Sequence, residues 1–316
     1  MKLYINSIAH YLPEQVVTNK FYNDLNNLED GWIESRTGIK ERRKTAEGEN
    51  TRTMAIDAVA RCVPNLPYPI EEIDLIIGAT YTPFDTIVTL AHGIQNRFEI
   101  TNAKVITITS ACSSFANAME IVEGYFAMNK CSKALIVASE NNSAYNDESN
   151  IKSGHLWGDG AAAVFISKEK TSASDLEILA VDTTGLGNVG KSIEAVTLQP
   201  RTGKTNMPYG KDVYIHATQY LVDAIDNILA DNDFRIDDVD YLITHQANMR
   251  IIENVRKKLD IDPSKVLSNI DKLGNTGCAS TPIVLSQNID KIKIGDLVCI
   301  SVFGGGYSSG AILLKK

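Results

Sequence analysis

The sequence predicts an α/β protein whose two halves share one order of strands and helices. Apolar runs rich in β-branched residues alternate with stretches of helical spacing, and the runs recur in the same order along the chain. Matching residues keep a nearly constant separation: Asp74 with Asp240, Lys104 with Lys265, and Leu135 with Leu297. We therefore expect a duplicated fold; the other explanation is the alternation of strands and helices that all α/β proteins share.

The first half is predicted to run strand, helix, strand, helix, strand, strand. Its strands are expected at Ile73–Gly78, Lys104–Ser110, Lys133–Ala138 and Gly158–Ile166. The first helix is expected to end near Ile100, and the second shows helical spacing at Met119, Val122 and Phe126. Apolar strands of this kind are covered by helices on both faces.

The second half is predicted to repeat this order. Its strands are expected at Val239–Thr244, Lys265–Ser268, Asp296–Ser301 and Gly306–Leu314, with a helix ending near Ile261. The join near residues 167–178 is polar and turn-prone. We therefore divide the chain into halves 1–170 and 171–316, packed face to face, with a site at their pseudo-twofold axis.

Composition restricts the class of protein. The chain is 44% hydrophobic and 22% charged, as in soluble globular proteins. Its net charge of -8 argues against a general nucleic-acid binder, and no apolar stretch approaches the ~18 residues of a membrane span. The five cysteines form no C-x-x-C pair. We expect a reduced, cytoplasmic protein without a disulfide framework or a metal site.

Cys112 is the first candidate for chemistry, since it lies between a predicted strand and a predicted helix. Unpaired N–H groups and the helix dipole at such a turn favour the thiolate. The alternative is an inert, buried cysteine that serves packing. The duplication places Cys112 opposite Asn275, because each lies in the small-residue loop that precedes the equivalent helix of its half.

His245, Asn275 and the glycines of Phe303–Gly306 follow other predicted strands, where α/β folds place their sites. Each alone has an ordinary structural explanation, such as a turn. Together they suit a thioester. A Cys112 thiolate attacks the carbonyl, and N–H groups of Cys112 and the glycine loop hold the oxyanion. His245 and Asn275 then donate hydrogen bonds that stabilise an enolate.

Six segments of the chain together resemble one family of enzymes. They are Trp32–Ile39, Ala111–Ser113, Gly158–Gly160, His245–Arg250, Gly274–Thr276 and Phe303–Gly306. The chain resembles a β-ketoacyl-acyl-carrier-protein synthase III, one of the thiolase-fold condensing enzymes, over essentially its whole length. The resemblance implies a thiolase-like fold in which two pseudo-twofold-related βαβαβ halves form a layered αβαβα body. It also implies a catalytic triad of Cys112, His245 and Asn275, with an oxyanion hole at the N–H groups of Cys112 and Gly305.

The reaction that this resemblance implies is a decarboxylative Claisen condensation in fatty-acid biosynthesis. An acyl group moves from coenzyme A or an acyl carrier protein to Cys112. Malonyl-carrier protein then loses CO2 and attacks the acyl group to give a β-ketoacyl product. No cofactor is implied beyond these thioester substrates. A homodimer is implied, in which Thr86–Val88 reaches towards the partner's acyl tunnel.

The coenzyme A site departs from the family pattern. The resemblance assigns coenzyme A binding to Trp32, Arg36 and Lys152, but the arginine that completes the adenine clamp is replaced by Ile151. A weakened clamp favours a carrier-protein-bound acyl donor. The alternative is a neutral substitution, with Lys152 supplying the charge.

Docking of the carrier protein is assigned to the helix after His245. Arg250, Arg256, Lys257 and Lys258 form a basic set suited to an acidic carrier protein. The alternative is a solvated helix surface. A further basic position of the family is replaced by Ile215.

Two other functions stay open at this stage. One is a specialised-metabolism ketosynthase or acyltransferase of the same fold, which uses an unusual or carrier-bound acyl donor. The other is a non-catalytic, ketosynthase-like partner subunit, although such proteins typically lose the nucleophile that Cys112 retains.

Overall fold

The computed structural model describes residues 1–199 and 203–316. Its strands are β1 Leu3–Tyr11, β2 Gln15–Thr18, β3 Glu41–Lys44, β4 Leu75–Ala79, β5 Lys104–Ile108, β6 Lys133–Glu140, β7 Gly160–Ser167, β8 Leu176–Gly185, β9 Thr197–Leu198, β10 Thr205–Asn206, β11 Tyr241–Thr244, β12 Leu297–Gly304 and β13 Ser308–Lys315. Its α-helices are α1 Asn19–Asn26, α2 Trp32–Thr37, α3 Thr51–Cys62, α4 Leu90–Arg97, α5 Ser114–Ala127, α6 Asn142–Tyr145, α7 Ser192–Ala195, α8 Gly210–Asp231, α9 Met249–Lys258, α10 Ile270–Leu273 and α11 Ser280–Asn288. Short 3-10 turns lie at Val63–Asn65, Ile70–Glu72, Ile236–Asp238, Pro263–Lys265 and Gly277–Ala279.

The main sheet has nine strands in the order β11-β12-β13-β8-β1-β7-β6-β4-β5. The first half contributes β5-β4-β6-β7-β1 and the second contributes β11-β12-β13-β8, so equivalent strands hold equivalent places. In both halves the pairs towards the sheet edge are parallel (β4 with β5 and β6, β11 with β12), whereas β7 and β13 run antiparallel to their neighbours. A short pairing of β1 with β8, from Leu3 opposite Ile178 to Ile5 opposite Leu176, joins the half-sheets.

Helices form three layers around the two half-sheets. Helix α5 packs on strands of both halves, as does α11, so these two helices lie in the middle. Helices α3 and α4 cover the outer face of the first half-sheet, and α8 covers that of the second, with α9 packed beside it. The predicted α/β fold with αβαβα layering is confirmed.

The apolar core follows these layers. One cluster fills the central layer around Phe115 and Ile283, and two others lie beneath the outer helices, around Met54 and Leu221. Strands β6, β7 and β12 are buried almost throughout, because helices cover both of their faces. This burial explains the continuous apolar runs from which the strands were predicted.

The structure differs from the prediction at two places. Strand β1, which pairs with β8 to hold the half-sheets together, was not predicted, because its alternation of polar and apolar residues is irregular. The strand expected at Lys265–Ser268 is reduced to one bridge between Val266 and Leu242. The proposed division between residues 170 and 171 falls in the connection from β7 to β8.

Candidate active site

Four of the predicted site residues line one cavity of about 700 Å³. Cys112 lies between β5 and α5, His245 follows β11, Asn275 follows α10, and Gly305 follows β12. The carboxyl ends of strands from both halves therefore open onto the same space, as α/β topology requires. The structure brings together the residues of the predicted triad and its oxyanion hole.

The loop that carries Cys112 is a tight turn before α5. Ala111 adopts a left-handed backbone with φ of 48°, a conformation that costs a non-glycine residue about 1–3 kcal/mol. Hydrogen bonds from the Ser113 N–H to the Ser110 carbonyl (3.2 Å) and from the Ser114 N–H to the Ala111 carbonyl (3.2 Å) close the turn. They hold Cys112 at the entrance of α5.

Gly304 allows the end of β12 to approach this turn. A Cβ atom at Gly304 would lie 2.7 Å from the Ser110 carbonyl oxygen and 2.9 Å from the Ser113 nitrogen, which a side chain cannot tolerate. Among the described residues, no acceptor is found for the loop N–H groups of Cys112 and Gly305. Both N–H groups remain as predicted oxyanion donors.

The cavity keeps the Cys112 thiol protonated. The pKa of Cys112 is raised to about 12, mainly by burial and next by the Glu140 carboxylate, which together exceed a lowering by Tyr81. Burial therefore acts against the thiolate that the helix terminus is expected to favour. Desolvation of a charged group and the partial charge of a helix end have opposite effects on this pKa.

His245 is a neutral imidazole with one ring nitrogen held in place. Burial lowers the pKa of His245 to about 4. Its Nδ1 lies 2.9 Å from the Ser280 Oγ, which also accepts a hydrogen bond from the Gln246 N–H at 3.5 Å. When the Ser280 hydroxyl donates to Nδ1, the hydrogen of the imidazole is on Nε2, which has no partner within residues 1–199 and 203–316.

Asn275 is oriented by its own loop. Its Oδ1 accepts a hydrogen bond from the Gly277 N–H at 2.9 Å, which leaves its Nδ2 group as the free donor. Its backbone N–H donates to the Leu156 carbonyl (2.8 Å), and its carbonyl accepts from the Gly158 N–H (3.0 Å). The segment after α6 in the first half thus fixes a donor of the second half.

A buried polar cluster beside Cys112 was missed in the sequence. The Glu140 carboxylate, at the end of β6, accepts hydrogen bonds from the hydroxyls of Thr80 (3.1 Å) and Thr82 (2.5 Å) and from the Cys278 thiol (2.9 Å). The pKa of Glu140 is raised to about 7, because burial outweighs the lowering by these hydrogen bonds. The sequence signal that could have revealed this cluster is the carboxylate of Glu140, which stands at the end of an apolar, buried strand.

The predicted coenzyme A residues lie on and near α2. The Arg36 guanidinium stacks over the Trp32 ring at 4.2 Å, and the His155 ring meets the edge of Trp32 at 5.5 Å. Ile151 is 49% exposed, and Lys152 beside it is also exposed. In this arrangement Arg36 covers one face of the Trp32 indole. The predicted clamp would stack adenine on that indole, so one of its two faces is already occupied.

The predicted docking residues on α9 differ in their availability. Arg250 donates to the Ser35 carbonyl of α2 at 2.9 Å, and Lys258 donates to the Gln219 side chain at 3.1 Å. Arg256 pairs with Glu253 at 3.0 Å, and its side chain is only 18% exposed. Lys257 is exposed and has no partner in the described part of the chain.

No helix among the described residues is long and apolar enough to cross a membrane. No group of three or more His, Cys, Asp or Glu side chains among them is placed to hold a metal ion.

A duplicated α/β body with a thiol, an imidazole and a carboxamide in one cavity defines a thiolase-fold enzyme of acyl transfer. The comparisons agree with this class. The family profile described as 3-oxoacyl-[acyl-carrier-protein (ACP)] synthase III matches residues 106–185, and the profile of its C-terminal part matches residues 229–316.

Relatives match along the whole chain. The β-ketoacyl-[acyl-carrier-protein] synthase III of Wolbachia pipientis wMel is 35% identical over 99% of each chain, and that of Rhodospirillum centenum is 33% identical over 96% of each. The crystal structure of the 3-oxoacyl-[acyl-carrier-protein] synthase III from Aquifex aeolicus VF5 superimposes with a TM-score of 0.93, at 32% identity over 99% of this chain and 100% of that one. The chain belongs to the β-ketoacyl-acyl-carrier-protein synthase III family, so the predicted family is confirmed. It is an acyltransferase-type condensing enzyme of fatty-acid synthesis.

Proposed function

We propose that the chain moves an acyl group onto Cys112 and condenses it with a malonyl thioester. The observation that supports this reaction most directly is the convergence of Cys112, His245, Asn275 and Gly305 on one cavity. The names of the relatives support a carrier protein as the bearer of the malonyl group, since each relative is a β-ketoacyl-[acyl-carrier-protein] synthase III.

In the first step the Cys112 sulfur attacks the carbonyl carbon of the donor thioester. The N–H groups of Cys112 and Gly305 stabilise the tetrahedral oxyanion. The bond between that carbon and the donor sulfur then breaks, and the donor thiolate takes the proton of Cys112. Because the thiol is protonated in the cavity, its proton leaves as the new carbon–sulfur bond forms.

In the second step malonyl-carrier protein loses CO2. The electron pair of the broken bond forms an enolate, whose oxygen accepts hydrogen bonds from His245 Nε2 and Asn275 Nδ2. The enolate carbon attacks the acyl-Cys112 carbonyl, the thiolate of Cys112 is expelled, and it takes up a proton. Neutral donors suit this step, because an imidazolium would protonate the carbanion before it attacks.

The acyl donor is the open part of the reaction. Exposed Ile151 in place of an arginine, and Arg36 stacked on Trp32, both disfavour an adenine sandwich. These observations favour the second candidate, a ketosynthase that accepts a carrier-bound or unusual acyl group. Of the two cations assigned to coenzyme A, Arg36 is stacked on Trp32, so Lys152 is the one left to bind a coenzyme A phosphate.

The proposed partners are an acyl carrier protein and a second copy of the chain. Exposed Arg250 lies in the first turn of α9, next to cavity-lining Asn248, and exposed Lys257 lies in its last turn; both charges suit an acidic carrier protein. Ile87 is 85% exposed beside Thr86, which lines the cavity, and this supports a homodimer that covers it. We place the enzyme in the cytoplasm, because its five cysteines are unpaired. No cofactor is needed for the proposed steps.

Intact-mass spectrometry after incubation with panels of acyl-CoAs and acyl-carrier proteins tests the proposal. We expect a stable acyl adduct on the wild type and none on Cys112→Ala. An adduct that persists in Cys112→Ala would show that another residue is the acceptor. If no donor gave an adduct, the non-catalytic subunit would become the better interpretation. The donor that reacts fastest decides between coenzyme A and a carrier protein.

A further inference from the structure

The turn that carries Gly305 joins β12 to β13 and contains three glycines in a row, Gly304 to Gly306. Glycine has no side chain that could fix its place, and its backbone has the widest conformational freedom. Gly306 uses this freedom, with a φ of 122°. An oxyanion donor is effective only when its N–H is already aimed at the developing charge. The direction of the Gly305 N–H therefore depends on the residues that flank the glycines.

Tyr307, the first residue after the glycines, anchors the turn through both its main chain and its side chain. Its carbonyl accepts a hydrogen bond from the Leu186 N–H at 2.7 Å. Its ring packs against the Phe303 ring with centroids 4.9 Å apart, so the aromatic residues on either side of the glycines contact each other. The Tyr307 side chain is buried, and its hydroxyl reaches the start of α8.

Asp212, in the first turn of α8, receives this hydroxyl. The Tyr307 hydroxyl donates to Asp212 Oδ1 at 2.9 Å, and the Lys191 N–H donates to the same oxygen at 2.9 Å. The hydrogen bond from Lys191, and after it that from Tyr307, hold the pKa of Asp212 below its ordinary value. Asp212 therefore accepts as a carboxylate, and a charge-assisted hydrogen bond of this kind is about twice as strong as a neutral one.

These two residues act on the site from outside it. Neither Asp212 nor Tyr307 is among the described residues that line the cavity, whereas Gly305 and Gly306 are. We propose that Asp212 and Tyr307 are positioning residues for the oxyanion hole: their hydrogen bond holds the glycine turn so that the Gly305 N–H faces the oxyanion that forms on the acyl group of Cys112. This inference rests on the proposed function, because it takes Gly305 as an oxyanion donor.

The proposal separates the reactions of the site. A tetrahedral oxyanion forms on the Cys112 acyl group in acyl transfer and again in condensation, and both need the Gly305 N–H. The enolate is held instead by His245 and Asn275. A looser turn should therefore slow acyl transfer and condensation and leave decarboxylation of malonyl-carrier protein unchanged. A general loss of structure would slow all three alike.

The test compares Tyr307→Phe with the wild type. Intact-mass spectrometry follows single-turnover acylation of Cys112, and CO2 release from malonyl-carrier protein is measured without an acyl donor. We expect acylation at saturating donor to fall about tenfold, less than the ~100-fold cost of losing a donor outright, with CO2 release unchanged. Tyr220→Phe is the matched control, because its ring stacks on Phe303 while its hydroxyl has no hydrogen-bond partner in the described part of the chain. Its rates should match the wild type.

Asp212 provides a second test that keeps the Tyr307 side chain. Asp212→Ala should slow acylation at least as much as Tyr307→Phe, whereas Asp212→Asn keeps an Oδ1 acceptor and should recover most of the rate. The Asp212→Ala/Tyr307→Phe double variant should be no slower than Asp212→Ala alone, because both changes remove the same hydrogen bond.

Four results would overturn the inference: wild-type acylation in Tyr307→Phe, an equal fall in CO2 release, equal slowing in Tyr220→Phe, or Asp212→Asn as slow as Asp212→Ala. Additive losses in the double variant would also contradict it. An acyl adduct on the wild type together with any of these results leaves the proposed function standing. A wild type that forms no adduct with any donor overturns the proposed function and this inference with it.

Discussion

The loop after β5 and the loop after α10 occupy equivalent places in the two halves, yet one carries a thiol and the other a carboxamide. Cys112 stands beside a hydrogen-bonded side-chain cluster that includes Tyr81 and Glu140. Asn275 is held by backbone groups of Gly277, Leu156 and Gly158. In the proposed reaction the first loop therefore holds the nucleophile among groups that affect its protonation, whereas the second fixes the direction of a donor.

This difference indicates that the two halves of the fold serve different steps of the proposed two-step reaction. The first half supplies the group whose charge changes, so its neighbours are ionisable or hydroxylated. The second half supplies His245 and Asn275, which stay neutral, since burial lowers the pKa of the imidazole and a carboxamide does not titrate. Acyl transfer should then depend on the first half and enolate formation on the second.

Removing the donors of the second half should separate the two steps. In His245→Ala and in Asn275→Ala we expect acyl-Cys112 to form at a rate near that of the wild type. Condensation with malonyl-carrier protein should fall about 100-fold or more, as for the loss of an oxyanion donor. Single-turnover mass spectrometry of the acyl-enzyme and of the β-ketoacyl product measures both rates.

Cys112→Ala is the control for this separation, since it should lose the adduct itself. The division between the halves would be wrong if either variant of the second half condensed at the normal rate. It would also be wrong if acylation fell as far as condensation.

The pH dependence of condensation tests whether His245 acts as a neutral donor. With its pKa lowered to about 4, the imidazole stays neutral as the pH falls through 6.5, the ordinary value for histidine. The ratio of β-ketoacyl product to simple decarboxylation product should therefore be constant from about pH 8 to about pH 5.5. A histidine of ordinary pKa would be about nine-tenths protonated at the lower end and would lower this ratio about tenfold.

Product ratios rather than rates are compared, because Cys112 and the carrier protein also titrate. Ser280→Ala provides a contrast, since it removes the hydroxyl that directs the Nε2–H tautomer. A ratio that fell with an apparent pKa near 6.5 in the wild type would contradict the neutral-donor role.

The order of strands along the chain and the meeting of Cys112, His245 and Asn275 at one cavity were predictable, because strand ends in a duplicated α/β fold meet at one edge. Cys112, His245 and Asn275 each follow a predicted strand or its counterpart, and apolar runs locate those strands without tertiary information. That Cys112 and Asn275 lie opposite each other was predicted from the repeat alone.

The cluster around Cys112 was not predictable in the same way. Tyr81 and Glu140 come from β4 and β6, which are neighbours only in the observed sheet order. Whether Arg256 or Lys257 is free depends likewise on side-chain pairing. The raised pKa of Cys112 depends on its burial and on Glu140, and both are known only from the walls of the cavity.

A stronger adenine clamp should sharpen the contrast between the two kinds of acyl donor. Ile151→Arg places a guanidinium where exposed isoleucine now stands. A cation–π contact with adenine is expected to lower the KM for acyl-CoA about threefold to tenfold, with little change for acyl-carrier protein. Ile151→Gln is the matched control of similar length without charge. An equal change for both donors would place Ile151 outside the coenzyme A site.

The smallest expected effect concerns the docking of the carrier protein on α9. Lys257 is exposed without a described partner, whereas Arg256 is paired with Glu253 and mostly covered. Lys257→Ala should raise the KM for malonyl-carrier protein about twofold to threefold at low salt, because a rim charge acts mainly on association. The difference should shrink at high salt, where such attraction is screened. Arg256→Ala should leave this KM and its salt dependence nearly unchanged. If Arg256→Ala had the larger effect, α9 would dock its partner through a rearranged Arg256–Glu253 pair rather than through the charges now exposed.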